Sequence, residues 1–130
     1  VPIAAEEMLR ICFTNQWAIR TAHKDVTVAG QFIKAGQRVL VSPFAANRDE
    51  REYGETADQF IWNRPIKRIL TFGHGQHHCI GNHIARLQIR TLVREFLANV
   101  KSFEFDLSQG KRSASYFHWG WAKIPVIIKD

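Results

Sequence analysis

Between positions 84 and 96, apolar residues return every three or four places: Ile84, Leu87, Leu92 beside Thr91, and Phe96. That period predicts an amphipathic helix across "NHIARLQIRTLVREFLANV", the strongest helical pattern in the chain. A second helix is predicted from Ala4 to about Phe13, where Ala, Glu, Met and Leu supply good helix formers. In "DVTVAGQFIKAGQRVLVS" the apolar runs are short and β-branched, and Gly30 and Gly36 mark turns. This predicts two or three short antiparallel strands. "FEFDL" and "IPVII" predict two more, separated by "SQGKRSASYFHWGWAK". "PFAANRDEREYGETADQFIWNRPIKR" has no sustained period. It reads as a short helical turn after Pro43 and then an ordered, irregular segment, which a compact domain keeps only for a functional reason. The fold class is mainly α with small β-sheets, an α+β arrangement.

Length and composition narrow this picture. The 130 residues suit one compact domain, and 45% hydrophobic content is ordinary for a globular chain. Lys and Arg outnumber Asp and Glu by 18 to 12, a formal charge of +6 that favours an acidic partner without choosing its class. Cys12 and Cys79 are too few for a disulfide framework and suggest a reducing, cytoplasmic setting. No apolar run is long enough to span a membrane, and no signal peptide is visible. The chain opens "VPIAAEEMLRICF" with helical periodicity already under way. It reads as a piece of a longer chain, with a processed mature domain as the alternative.

The candidate chemistry lies in "TFGHGQHHCIG", Thr71 to Gly81, just before the long helix. A helix N-terminus presents unpaired amides and partial positive charge, which favour a thiolate at Cys79. Gly73 and Gly75 allow a tight loop and close backbone approach to a flat ligand, and Gly81 leaves out a Cβ beside the sulfur. Three readings compete: a structural free cysteine; a zinc site of Cys79 and His83 with His74, His77 or His78; and a haem iron held by the Cys79 thiolate. The zinc reading suffers from crowding all its ligands into one loop.

The spacing Phe72-Gly73-x-Gly75-x-His77-x-Cys79-x-Gly81 resembles the signature of the cytochrome P450 haem-thiolate monooxygenases. "EEMLR" is similar to the family's Glu-x-x-Arg helix, with Glu7 and Arg10 matching, and "DQFIWNR" supplies Arg64 as the arginine that completes a buried charge network. Arg20, in "RTAHKDVTVAGQFIKAGQRV", matches a residue that binds a haem propionate in the family, and His77 matches a second propionate ligand. "AANRD" and "IARLQIR" also look like family text. The likeness runs from about Ala4 to Val126 and is of the soluble bacterial type. The stretch from Arg10 to Arg20 is one residue longer than in some members, and His78 fills the variable position before the cysteine, where it is expected to point away from the iron.

The resemblance implies that residues 1–130 are a partial P450 domain. This would be the C-terminal third of the fold: Glu-x-x-Arg helix, small sheet, meander, cysteine loop, proximal helix and C-terminal hairpin. The distal helix with its acid and threonine would lie upstream, so this chain alone is expected to be inactive. The implied cofactor is haem b, bound by Cys79, His77, Arg20, Phe72, Gly73, Gly75 and Gly81. The implied parent activity inserts one oxygen atom from O2 into a small apolar substrate. Two electrons would come ultimately from NAD(P)H through an acidic ferredoxin or flavodoxin. Arg86, Arg90 and Arg94, four residues apart, suggest a docking stripe, although a solvated helix face is the ordinary alternative, and the resemblance implies an internal place for Arg86, which matches a frequent family arginine. Thr14–Trp17 and Tyr116–Trp121 match segments that line the substrate pocket in the family; hairpin packing explains the second equally well. The rivals are a peroxygenase or nitric-oxide reductase with the same proximal side, a non-catalytic remnant, and a basic nucleic-acid-binding module. The last lacks any recognised motif.

Overall fold

The computed structural model describes residues 1–12 and 14–129. Helix α1 spans Pro2–Ile11. Pro2 suits its first turn, where an amide has no partner to lose. Phe13, the expected last residue of this helix, lies outside the described residues. The helix buries Ala5, Glu7, Leu9 and Arg10, so a charged pair sits where an apolar face is the rule. Its C-terminus is held by four separate donors. Met8 O accepts from the Cys12 amide at 2.8 Å, Leu9 O from the Thr71 hydroxyl at 2.7 Å, Arg10 O from Asn47 Nδ2 at 3.4 Å, and Ile11 O from the Arg48 guanidinium. Every orphan carbonyl of the last turn therefore has a partner, three of them from side chains remote in sequence.

Four antiparallel pairs make up the β structure. Strand β1 (Ala18–Thr21) pairs with β4 (Arg38–Val41), and β2 (Val26–Val28) with β3 (Gln31–Ile33). Strand β5 (Ser102–Phe105) pairs with β8 (Val126–Lys129), and β6 (Lys111–Arg112) with β7 (Trp121–Lys123) through a register shift. The irregular segment opens with two one-turn helices, α2 (Pro43–Ala46) and α3 (Glu50–Tyr53). Ser42 Oγ caps the first by accepting from the Ala45 amide, and an Asp49 carboxylate oxygen caps the second by accepting from the Arg51 amide.

Helix α4 spans Asn82–Asn99. It meets α1 through charge: Glu6 Oε1 accepts from Arg86 Nε at 2.8 Å and Arg90 Nη2 at 3.1 Å. Its apolar stripe stays open, with Ile84, Leu87 and Leu92 each 63–67% exposed. Phe96, also of the predicted stripe, packs edge-to-face on Phe103 at 5.0 Å. The same is true more widely. Only Ala5, Leu9 and Ala57 form a buried apolar core among the described residues. The surface measures 10207 Å², against roughly 7,000 Å² expected of a folded monomer of this mass. The chain exposes apolar area that a self-sufficient domain would cover.

Candidate functional site

The site grows from the buried face of α1. Glu7 and Arg10 lie one turn apart and are both fully buried. Arg10 Nε donates to Glu7 Oε2 at 2.7 Å and Arg10 Nη2 to Glu7 Oε1 at 2.8 Å. Its remaining N–H groups reach the carbonyls of Asn47, Ala57 and Gln59 at 2.6 to 3.0 Å. Arg64 Nε adds a bond to Glu7 Oε1 at 3.1 Å, and its other donors go to Tyr53 O, Thr56 Oγ1, Thr56 O and Gln59 O. A guanidinium has five N–H donors, and both of these use all five. Burial alone would push the Glu7 carboxyl up. The hydrogen bonds from Arg10, the Ile61 amide and Arg64, together with the Arg10 charge, outweigh it and hold the group below its ordinary range. Glu7, Arg10 and Arg64 are thus brought together into one closed cluster. It pins residues 47 to 64, which have few regular backbone bonds of their own.

The cysteine loop is fastened at both ends, to this cluster through Asn47 and to the Glu6–Arg86 pair through Asn82. Gly73 and Gly75 have φ of +71° and +72°, a conformation that side chains disfavour, so the tight turn requires glycine at both. The Cys79 amide donates across the loop to Phe72 O at 2.8 Å. Asn82, buried at the first position of α4, donates from Nδ2 to Cys79 O at 2.8 Å and accepts from Arg86 Nη1 at 2.9 Å. Arg86 in turn lies over the Phe72 ring at 4.6 Å and pairs with Glu6. The cysteine's peptide groups are therefore anchored on both sides while its side chain stays exposed. A Cβ on Gly81 would sit 3.8 Å from Cys79 Sγ, so glycine there keeps the flank of the sulfur clear. His78 Nδ1 lies 3.2 Å from Gly73 O. Because a carbonyl only accepts, that nitrogen carries the proton.

Cys79 and His77 face a cavity of about 870 Å³, within the roughly 300–1,000 Å³ range of cofactor and ligand sites. Its walls are mostly apolar and include Leu9, Trp17, Phe72 and Phe117. Trp17 and Phe117 stack with ring centroids 4.4 Å apart. Backbone bonds from Gln16 to Phe117 and from Trp119 to Thr14 lay the two expected substrate segments side by side. Of Tyr116–Trp121, however, only Phe117 lines this cavity. Tyr116, His118 and Trp119 line a smaller one of about 290 Å³, and Trp121 stacks under Arg112 at 3.9 Å. Arg20 is not among the cavity's lining residues; it sits exposed on β1 and donates to Ile19 O at 2.9 Å. Among the described residues, no three His, Cys, Asp or Glu side chains converge on one point. Arg86 and Arg90 are both engaged by Glu6, and Arg94 pairs with the adjacent Glu95 on an exposed surface.

Asn47 and Asn82 are the site residues that sequence reasoning missed. Both are buried, and each ties one side of the cysteine loop. Asn47 lay in the quoted "AANRD", where a polar residue amid irregular text offered the only available signal.

Comparison with known proteins places this arrangement. The family model "Cytochrome P450" matches residues 3–128. Cytochrome P450 130 of Mycobacterium tuberculosis is 45% identical over 104 residues, 80% of this chain and 26% of that protein. Cytochrome P450-terp of a Pseudomonas species is 34% identical over 126 residues, 97% of this chain and 29% of that protein. The crystal structure of CYP109E1 from Bacillus megaterium in complex with testosterone superposes with a TM-score of 0.90 at 30% identity, covering 100% of this chain and 36% of that one. The chain thus spans about a quarter to a third of the length of the relatives it matches. With its cysteine loop pinned over an apolar cavity and its match along nearly every residue, the chain belongs to the cytochrome P450 family of haem-dependent oxidoreductases.

Proposed function

We propose that this chain is the C-terminal, proximal third of a haem-thiolate monooxygenase, with residues 1–130 forming a partial domain that the rest of a longer enzyme completes. The observation that carries this reading is the exposed Cys79 side chain, presented by a loop whose backbone is tied on both sides and which opens on a large apolar cavity. The residues present suit haem b: a soft sulfur donor, an apolar wall for a flat ring, and His77 at the edge. The excess exposed apolar surface supports the need for a covering segment.

When bound, haem supplies the reductive activation of O2 and the transfer of one oxygen atom to a substrate, the other leaving as water. The chain's own residues do the rest. Cys79 would hold the haem iron through its thiolate. His77 and Arg20 are assigned to the propionates, Arg20 by a change of its present hydrogen bond. Phe72, Gly73, Gly75 and Gly81 shape the bed for the ring. The Trp17–Phe117 stack excludes water and favours a small apolar substrate. Two electrons arrive from NAD(P)H through an acidic ferredoxin or flavodoxin. On α4, Arg94 is the arginine of the former stripe that has only a surface partner, which leaves it available to such a protein. Among the described residues, no helix is long and apolar enough to cross a membrane.

The test uses the intact enzyme with NAD(P)H, a ferredoxin or flavodoxin and its reductase. Apolar compounds that perturb the haem spectrum are incubated under isotopically labelled O2. A product carrying one labelled atom and dependent on the partner is expected. Product formed only when peroxide replaces the partner would instead assign a peroxygenase.

A further inference from the structure

We infer that Asn47 and Thr71 form a clasp that sets the position of the cysteine loop, making them positioning residues for the haem ligand. The inference rests on the function proposed above and concerns residues to which that reading gives no role. Asn47 is fully buried, and its side chain has no polar atom to spare. Its Oδ1 accepts from the Leu70 amide at 2.7 Å, and its Nδ2 donates to Thr71 Oγ1 at 2.9 Å and to Arg10 O at 3.4 Å. Thr71 passes its own proton to Leu9 O at 2.7 Å. The backbone carbonyl of Asn47 meanwhile accepts from Arg10 Nη1 at 2.6 Å.

These bonds form a continuous path. It starts at the Glu7–Arg10 pair, crosses Asn47 to Leu70 and Thr71, and enters the loop one residue later at Phe72, whose carbonyl holds the Cys79 amide. A rigid buried cluster thus fixes the limb from which the cysteine hangs. The Asn82 link on the other limb comes from the Glu6–Arg86 pair, which is partly exposed and so a softer anchor. Buried polar groups that are fully satisfied define one geometry, and loss of one partner strands the others. Removing the Thr71 hydroxyl would leave one Asn47 N–H without its acceptor and take from the Leu9 carbonyl the donor it has among the described residues, both at the loop's hinge.

The experiment compares Thr71→Val, which keeps shape and loses the hydroxyl, with Thr71→Ser, which keeps it, in the intact haem enzyme well below its melting temperature. Two readouts are taken: the fraction of the reduced, CO-bound protein with the thiolate spectrum, and hydrogen exchange at the Cys79 amide. Thr71→Val is expected to lower the thiolate fraction and to speed Cys79 exchange about tenfold, the scale of one lost buried hydrogen bond. Thr71→Ser should restore both. Asn47→Ala should resemble Thr71→Val; if it does not fold, the threonine pair still decides. A role in overall stability alone would lower the melting temperature, leave the thiolate fraction unchanged and speed exchange at Cys79 no more than at the amides in the middle of α4, and that result would overturn the clasp. Should the unsubstituted enzyme lack a thiolate spectrum, the proposed function fails, and the exchange readout, which needs no haem, still judges the clasp.

Discussion

Replacing Glu7 by Gln removes one charge and almost no volume, yet the geometry makes it costly. Glu7 Oε1 accepts three hydrogen bonds, from Arg10 Nη2, Arg64 Nε and the Ile61 amide, and Oε2 accepts a fourth from Arg10 Nε. A glutamine can place its one oxygen at the Oε1 position and keep three of these. Its NH2 then faces the Arg10 Nε–H, donor against donor, where a 2.7 Å bond stood. Two buried guanidiniums also lose their only carboxylate. Breaking a buried ion pair by removing one partner costs about 3–5 kcal/mol, and two stranded cations place this substitution in the upper half of that range. A domain's whole stability is about 5–15 kcal/mol, so a large share is lost. Glu6→Gln is the matched control, since Glu6 also faces two arginines but is partly exposed with them; such pairs contribute below about 1 kcal/mol. Urea unfolding of the intact enzyme, followed by haem absorbance and circular dichroism, measures both. Equal, small losses for the two variants would refute the claim that the buried cluster organises the proximal side.

Further consequences can be tested separately. Glu7 titrates below its ordinary value of 4.5 when folded, so its contribution is complete above about pH 4.5 and drains away as pH falls through the folded value. The stability gap between the unsubstituted enzyme and Glu7→Gln should therefore be constant above that pH and narrow below it; a gap unchanged in acid contradicts the linkage. The 130-residue chain by itself should bind a hydrophobic dye strongly and unfold without a sharp transition, because its apolar surface is uncovered. Cooperative unfolding without dye binding would count against that. If Arg94 helps dock an acidic redox partner, Arg94→Glu should slow reduction several-fold at low salt and much less at high salt. A rate indifferent to both changes would move the docking face elsewhere.

The parts of the site that were legible are those written locally. The cysteine loop is eleven consecutive residues, and Glu7 and Arg10 share one helical turn, so spacing shows that the two can pair, while their burial is what the family resemblance implies. The helix at Asn82–Asn99 announced itself by period. Period does not say what lies opposite, however. The resemblance implies an internal place for Arg86, but the partner it shares with Arg90, Glu6, is 80 and 84 residues away and has no local signal. Ile84, Leu87 and Leu92 promised a buried face, yet among the described residues they stay mostly exposed. Helix α3 is four residues long, too short for a periodic signal. Asn47 and Asn82 were opaque for a different reason: an asparagine near a turn or a helix start reads as a local cap. The actual work of Asn47, on a carbonyl and an amide that other elements supply, exists only once the chain is folded, whereas Asn82 works locally, on Cys79 O three residues back and Arg86 four residues on.

The account stands on Cys79 as the haem ligand, and the absorption spectrum of the reduced, CO-bound intact enzyme tests it most directly, read alongside Cys79→His. The unsubstituted protein should show the red-shifted band of thiolate ligation, and the variant should lose it while still binding haem. A protein without that band, or a variant that keeps it, would contradict the assignment.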